Sequence, residues 1–171
     1  MQYAAELRGR ISFDEMFISM CHIVSERSTC LKNKSGCLIV RDGAIVALGY
    51  NGAPKGMAHC SVQGCLCEEN GLDPNAPSVP ANDPTKYSCR GVHAIQNALI
   101  QAGIEKARGA TLYINQMPCS VCAKMIIQAE IERVVIAAPN NHNAITALLK
   151  QAGISVVILD LPRLYPASGD Q

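Results

Sequence analysis

The residues whose types and spacing most directly offer chemistry are His93 and the run Pro118-Cys119-x-x-Cys122. Two thiols three positions apart fall on one face of a helical turn. A proline directly before them suits the opening of a helix. A helix N-terminus favours negative charge, so both thiols ionise more readily there, and the thiolate is the form that binds zinc. His93, at the start of the preceding helix, can add a nitrogen ligand. Three protein ligands leave a fourth position open, which is the arrangement of a catalytic rather than a structural zinc. A Cys-x-x-Cys pair also suits a redox dithiol, but that reading leaves His93 unexplained.

The elements that must position these groups follow from periodicity and turn signals. Ser12-x-x-Glu15 is a capping-box pattern, and Phe13, Met16, Phe17, Met20, Ile23 and Val24 then recur at helical spacing. Residues 37–40 and 44–48 read as a hairpin with Asp42-Gly43 as its turn. Helices are expected over 92–102, stopped by Gly103, over 118–129, opened by Pro118, and over 143–151, ended by Gly153. Strands are expected over 110–115, 133–138 and 154–159. This order predicts an α/β fold, a three-layer α-β-α sandwich around a mixed five-stranded sheet.

A chain of 171 residues suits one domain, 1–171. It contains no internal repeat, and the tail 162–171 is expected to be irregular. With 49% hydrophobic and 17% charged residues it reads as a compact globular protein. Fifteen Lys and Arg against fourteen Asp and Glu argue against a dedicated nucleic-acid binder, which needs a basic footprint. The longest apolar stretches are strand-sized, and residues 1–10 carry no secretory apolar region, so an intracellular, cytoplasmic protein is expected. Nine cysteines are many for a reducing compartment, which points to metal ligation by several of them. Buried free thiols are the alternative, above all for Cys21 and Cys37.

The stretch 51–91 stands apart. It carries five prolines, several glycines and four cysteines without periodicity, and a segment of that length inside a compact domain needs something to order it. Cys60, Cys65, Cys67 and Cys89 lie within it, and Cys30 precedes it. Four thiolates would make a closed tetrahedral site.

His93 followed by Pro118-Cys119-x-x-Cys122 resembles the zinc deaminase signature H-x-E…P-C-x-x-C. Gly49-Tyr50-Asn51-Gly52-Ala53-Pro54-Lys55-Gly56, Arg27-Ser28-Thr29-Cys30, and His93 through Asn97-Ala98 are similar to the deoxycytidylate (dCMP) deaminase family, over about residues 12–159. The resemblance implies a cytidine deaminase-like fold, one zinc on His93, Cys119 and Cys122, and hydrolysis of dCMP to dUMP and ammonia. It implies a sugar contact for Asn51, which could also be a plain turn asparagine. Asn97, one helical turn past His93, is placed with the substrate site, to support the pocket or cap the neighbouring loop, and Lys55 to meet a phosphate. It also implies regulatory dCTP or dTTP near 49–56 and a homo-oligomer. Some members hold a second, structural zinc, for which Cys30, Cys60, Cys65 and Cys89 are the set chosen here, with Cys67 in reserve.

One departure bears on chemistry. The family motif reads His-Ala-Glu; this chain reads His93-Ala94-Ile95. The family's glutamate moves protons to and from water, ring nitrogen and leaving amine, and isoleucine has no proton to give and no lone pair. Further departures fall at Asn115, where the family usually has Thr, and at 138–142, where it often has Tyr. Glu68, Glu69 and His142 are conceivable substitutes that spacing does not single out. Two functions follow. One is a zinc hydrolase converting dCMP to dUMP and ammonia, or a relative with altered chemistry or substrate. Against it stands a non-catalytic nucleotide sensor or partner subunit. Heterodimeric tRNA adenosine deaminases contain such a subunit, with an apolar residue in place of the glutamate.

Overall fold

The computed structural model describes residues 10–66, 89–138 and 144–160. Helix α1 spans Phe13–Ser25. Its start is the expected capping box: Glu15 N donates to Ser12 Oγ at 3.2 Å, and Ser12 N donates to the Glu15 carboxylate at 2.6 Å. Strands β1 (Gly36–Arg41) and β2 (Ala44–Tyr50) form the hairpin. Asp42 and Gly43 both take positive φ, 52° and 76°, the two-residue turn that matches strand twist. A single helical turn, α2 (Cys60–Gln63), interrupts the stretch expected to be irregular.

The second half alternates helix and strand: α3 (Ala94–Ala107), β3 (Thr111–Ile114), α4 (Ser120–Gln128), β4 (Arg133–Ala137), α5 (Ala144–Gln151) and β5 (Ser155–Leu159). Two boundaries differ from the sequence expectation for a shared reason. His93 and Cys119 are extended N-cap residues, so α3 begins at Ala94 rather than 92, and Pro118 precedes the cap of α4 rather than opening its first turn. Gly103 does break the helical path, with φ 67° and ψ 166°, but a further helical turn follows it to Ala107.

The sheet order is β2-β1-β3-β4-β5, antiparallel across β2/β1 and β1/β3 and parallel across β3/β4 and β4/β5. Alternating side chains of each strand serve two cores. Leu38, Val40, Tyr113 and Val135 meet Phe17, Ile18 and Cys21 of α1 on one face. Cys37, Ile39, Leu112, Ile114, Val134 and Ile136 meet the helices α3, α4 and α5 on the other. The fold is therefore the expected mixed five-stranded sheet with helices on both faces. Asp14 ties α1 to the sheet: Arg133 donates to both its carboxylate oxygens, at 2.9 and 2.5 Å, and Tyr113 Oη donates to it at 2.8 Å.

Two contacts set the height of α3 above the sheet. A Cβ on Gly49 would lie 2.2 Å from the Ala94 carbonyl oxygen, so only glycine admits the first turn of α3 against β2. Gly52 and Val92 form an antiparallel bridge with N–H···O distances of 3.1 and 2.8 Å, which fixes the residue directly before His93. Among the described residues no helix is long and apolar enough to cross a membrane.

Candidate metal centre and its cavity

His93 and Cys119 each stand at a helix start, and Cys122 lies three residues into α4. The Gln96 side chain accepts from His93 N at 2.8 Å and so fixes the entry into α3. The Cys119 sulfur accepts from Cys122 N at 3.5 Å, so it caps its own helix. These local geometries converge: Cys119 Sγ and Cys122 Sγ each lie 3.4 Å from His93 Nδ1.

That spacing fits a metal. Zn–S bonds of about 2.3 Å and a Zn–N bond of about 2.0 Å at tetrahedral angles set sulfur and nitrogen about 3.5 Å apart. The three ligand atoms lie within 4.8 Å of one another, and among the described residues this is the group that meets that condition. Electrostatics agree. Hydrogen bonds from the Cys122 thiol and from His93 hold the Cys119 thiol down to about 3. The same bond to Cys119, with burial, pushes the Cys122 thiol far up, and the bond to Cys119 raises His93. The two thiols and His93 thus act on one another's protons, and metal binding at such a set would be coupled to proton release.

The triad opens on a cavity of about 620 Å³, within the range of small-molecule sites. Ile95, 3% exposed, forms part of its wall on the first turn of α3. Among the described residues lining the cavity there is no Asp or Glu, and the charged groups besides the thiols and His93 are Lys32 and Arg90. Glu68, Glu69, Cys67 and His142 lie outside the described residues.

The substrate contacts expected from the sequence are placed as follows. Asn51 lines the cavity, but its amide is engaged with the chain: Oδ1 accepts from Ser28 Oγ at 2.7 Å and Ser35 N at 2.8 Å, and Nδ2 donates to the Asn33 carbonyl. Asn97 donates to the Tyr50 carbonyl at 2.8 Å and pins α3 to the end of β2. Lys55 is exposed, and neither it nor Asn97 is among the described lining residues. Sequence reasoning missed Lys32, Arg90 and Gln116 at the cavity. For Arg90 a signal existed, since it adjoins Cys89 and precedes His93 by three positions; for Lys32 spacing carried none.

Cys30, Cys60, Cys65 and Cys89 line the same cavity. Burial, then the neighbouring Cys30, Cys89 and Cys65 thiols, push the Cys60 thiol up. Cys89 Sγ accepts from Gly91 N at 3.2 Å. Their sulfurs do not reach the mutual spacing of the triad.

Taken together, a three-layer α/β fold and a His-Cys-Cys set at two helix starts define a protein with a pocket suited to one metal and a small polar ligand. The chain belongs to the cytidine and deoxycytidylate deaminase family, whose zinc-binding region matches residues 11–138. It is 37% identical over 127 residues to the deoxycytidylate deaminase of Mycobacterium phage D29, covering 74% of this chain and 95% of the relative. It is 35% identical over 151 residues to that of Schizosaccharomyces pombe, covering 87% of this chain but only 44% of that longer protein. Among solved structures, the dCMP deaminase of cyanophage S-TIM5 in complex with dCMP and dUMP is similar with a TM-score of 0.64 and 27% identity, over 85% of this chain and 95% of that one.

Proposed function

We propose that this chain holds zinc on His93, Cys119 and Cys122, takes a pyrimidine nucleotide of the dCMP kind into the adjoining cavity, and deaminates it slowly or not at all. The observation that carries this reading is Ile95 on the cavity wall, with no carboxylate among the described lining residues; the resemblance of His93-Ala94-Ile95 to His-Ala-Glu gives it the family's glutamate position. Bound there, zinc would supply the Lewis acidity that makes water acidic enough to attack carbon near neutral pH. The protein's own part in such a reaction is proton traffic. A proton must leave the attacking water, one must reach the ring nitrogen and one must reach the departing amine. Ile95 can carry none of them, and Lys32 and Arg90 in their charged forms accept none. Loss of general acid–base catalysis costs roughly 10²–10⁴-fold.

Binding does not need the glutamate. The two cations on the wall suit a phosphate, and the cyanophage relative is described with dCMP and dUMP. Because the triad is intact while the described lining offers no proton carrier, a nucleotide sensor or a partner subunit is the role these features favour; the family resemblance separately implies a homo-oligomer. Regulatory dCTP or dTTP at 49–56 belongs to the same reading. The four thiols Cys30, Cys60, Cys65 and Cys89 support a second, structural zinc, since Cys60 already sits among three other sulfurs.

The test combines two readings on zinc-loaded protein. Calorimetric titration with dCMP is expected to show saturable binding, while ammonia release from dCMP stays at least a hundredfold below that of an active dCMP deaminase, the lower end of the cost of losing the proton carrier. Turnover at the rate of an active relative would defeat the proposal, and so would a failure to bind dCMP.

A further inference from the structure

Four side-chain amides line the cavity among the described residues: Asn33, Asn51, Asn115 and Gln116. Three of their oxygens are already engaged by the chain. Asn51 Oδ1 accepts from Ser28 Oγ at 2.7 Å and from Ser35 N at 2.8 Å. Asn115 Oδ1 accepts from Gly36 N at 2.9 Å. Asn33 Oδ1 accepts from Gln116 Nε2 at 2.5 Å. The fourth oxygen, Gln116 Oε1, accepts no hydrogen bond from a described residue. It is also reached by solvent, although the residue as a whole is half-buried.

Backbone fixes the sense of that amide. Gln116 Nε2 also donates to the Lys34 carbonyl at 2.9 Å, and a backbone carbonyl can only accept. Turning the amide over would set oxygen against oxygen there. Because the group is planar, tying Nε2 to residues 33 and 34 holds Oε1 on the other edge. A neutral oxygen is thus kept as an acceptor, in a lining whose described residues include no carboxylate.

Its place in the chain bears on what it meets. Gln116 stands three residues before Cys119, between the end of β3 and the cap of α4. Ile95, Ile114, Met117 and Ala137 supply apolar wall in the same cavity. A flat ring against such a wall has few polar partners, and those few decide which ring is held. An acceptor of fixed sense favours a ring edge that carries an amino group. It disfavours an edge with a carbonyl oxygen, whose lone pairs it would face. Unlike a carboxylate, an amide oxygen takes no proton near neutral pH, so it recognises an amino group without helping it leave.

We infer that Gln116 Oε1 is a specificity-determining acceptor that selects an amino-bearing pyrimidine, the cytosine type, over a uracil ring of the same size. This deepens the nucleotide reading and rests on it for the sugar and phosphate; the acceptor stands on its own geometry.

The zinc-loaded full chain and its Gln116→Met and Gln116→Glu forms are titrated calorimetrically with dCMP, dUMP, deoxycytidine and deoxyuridine. The natural chain is expected to hold dCMP on the order of tenfold tighter than dUMP, the upper size of one net hydrogen bond. Gln116→Met nearly keeps the side chain's shape and removes the amide, so it should bring the two affinities together by weakening dCMP. Gln116→Glu keeps an acceptor oxygen while losing the Nε2 bonds, so it should keep the preference. A natural chain that holds dCMP no tighter than dUMP would overturn the inference without recourse to the variants. A Gln116→Met loss equal for both nucleotides would also overturn it, as the mark of loop support alone. So would a Gln116→Glu form that loses the preference as Gln116→Met does. The expected pattern among the nucleosides, with neither nucleotide bound, would support the acceptor and sink the nucleotide reading instead. A chain that binds none of the four would overturn both.

Discussion

Two sets of metal-capable residues face one cavity, and they are built differently. His93, Cys119 and Cys122 sit on helix starts, where capping bonds and the Gly52–Val92 bridge fix each backbone. Their ligand atoms are already at metal spacing. Cys30, Cys60, Cys65 and Cys89 sit on connecting segments and one helical turn, and their sulfurs are near one another without meeting that spacing. Rigid elements preorganise a site, whereas a loop-borne set depends on its ligand to draw it together. The first set therefore suits a reactive position and the second a structural one.

The largest expected effect that separates the two is loss of a triad ligand. Cys119→Ala should weaken zinc at the triad by more than 100-fold, since even groups that merely orient a ligand cost about 10–100-fold. Competition with a chromophoric chelator measures it, and a fold left intact by circular dichroism is the expected companion result. Cys60→Ser comes next: metal analysis should fall from two zinc ions per chain to one, with the triad's zinc retained and a lower melting temperature. Retention of two ions would break the assignment of the second set.

Smaller effects probe the supports. Asn115→Leu leaves the buried Gly36 N–H without its 2.9 Å partner, and urea denaturation should show a loss of about 1–3 kcal/mol with the triad's zinc affinity unchanged. Asp14→Asn, on the opposite face of the sheet, should cost least and touch neither metal set. The Arg133 guanidinium beside Asp14 holds its carboxyl below the ordinary value of 3.8. A group depressed in the folded state stabilises above its unfolded pKa, and that stability is lost as pH falls through the folded one. The melting temperatures of wild type and Asp14→Asn should thus differ at neutral pH and converge as the pH is lowered below 3.8.

Much of this was legible in the sequence, and the reason is local. The capping box at Ser12, the Asp42-Gly43 turn and the alternation of strand residues are short-range signals, and the structure keeps each of them. The triad was legible because helix starts and Cys-x-x-Cys spacing are local too. Boundaries slipped where a residue serves as a cap: His93 and Cys119 look like helix in the pattern but are extended in fact. The cavity wall was the least legible part. Lys32 and Arg90 reach it through loop paths that no periodicity encodes. Asn51 read as a ligand contact, and Asn97 only loosely as pocket support or loop cap, because hydrogen-bond partners 16 to 47 positions away in the chain cannot be read from spacing. The same holds for Asn115, whose departure from the family pattern carried no hint of its partner, and for Gln116; both grip the neighbouring loop.

The central claim is that Ile95 removes the proton carrier from a pocket that otherwise keeps its metal and its ligand. Its most direct test is ammonia release from dCMP by the natural sequence and by Ile95→Glu at equal zinc loading. A rise of roughly 10²–10⁴-fold in the variant is the predicted result. Equal rates in the two proteins, with the natural chain already turning over, would contradict it and require a different proton carrier in the cavity.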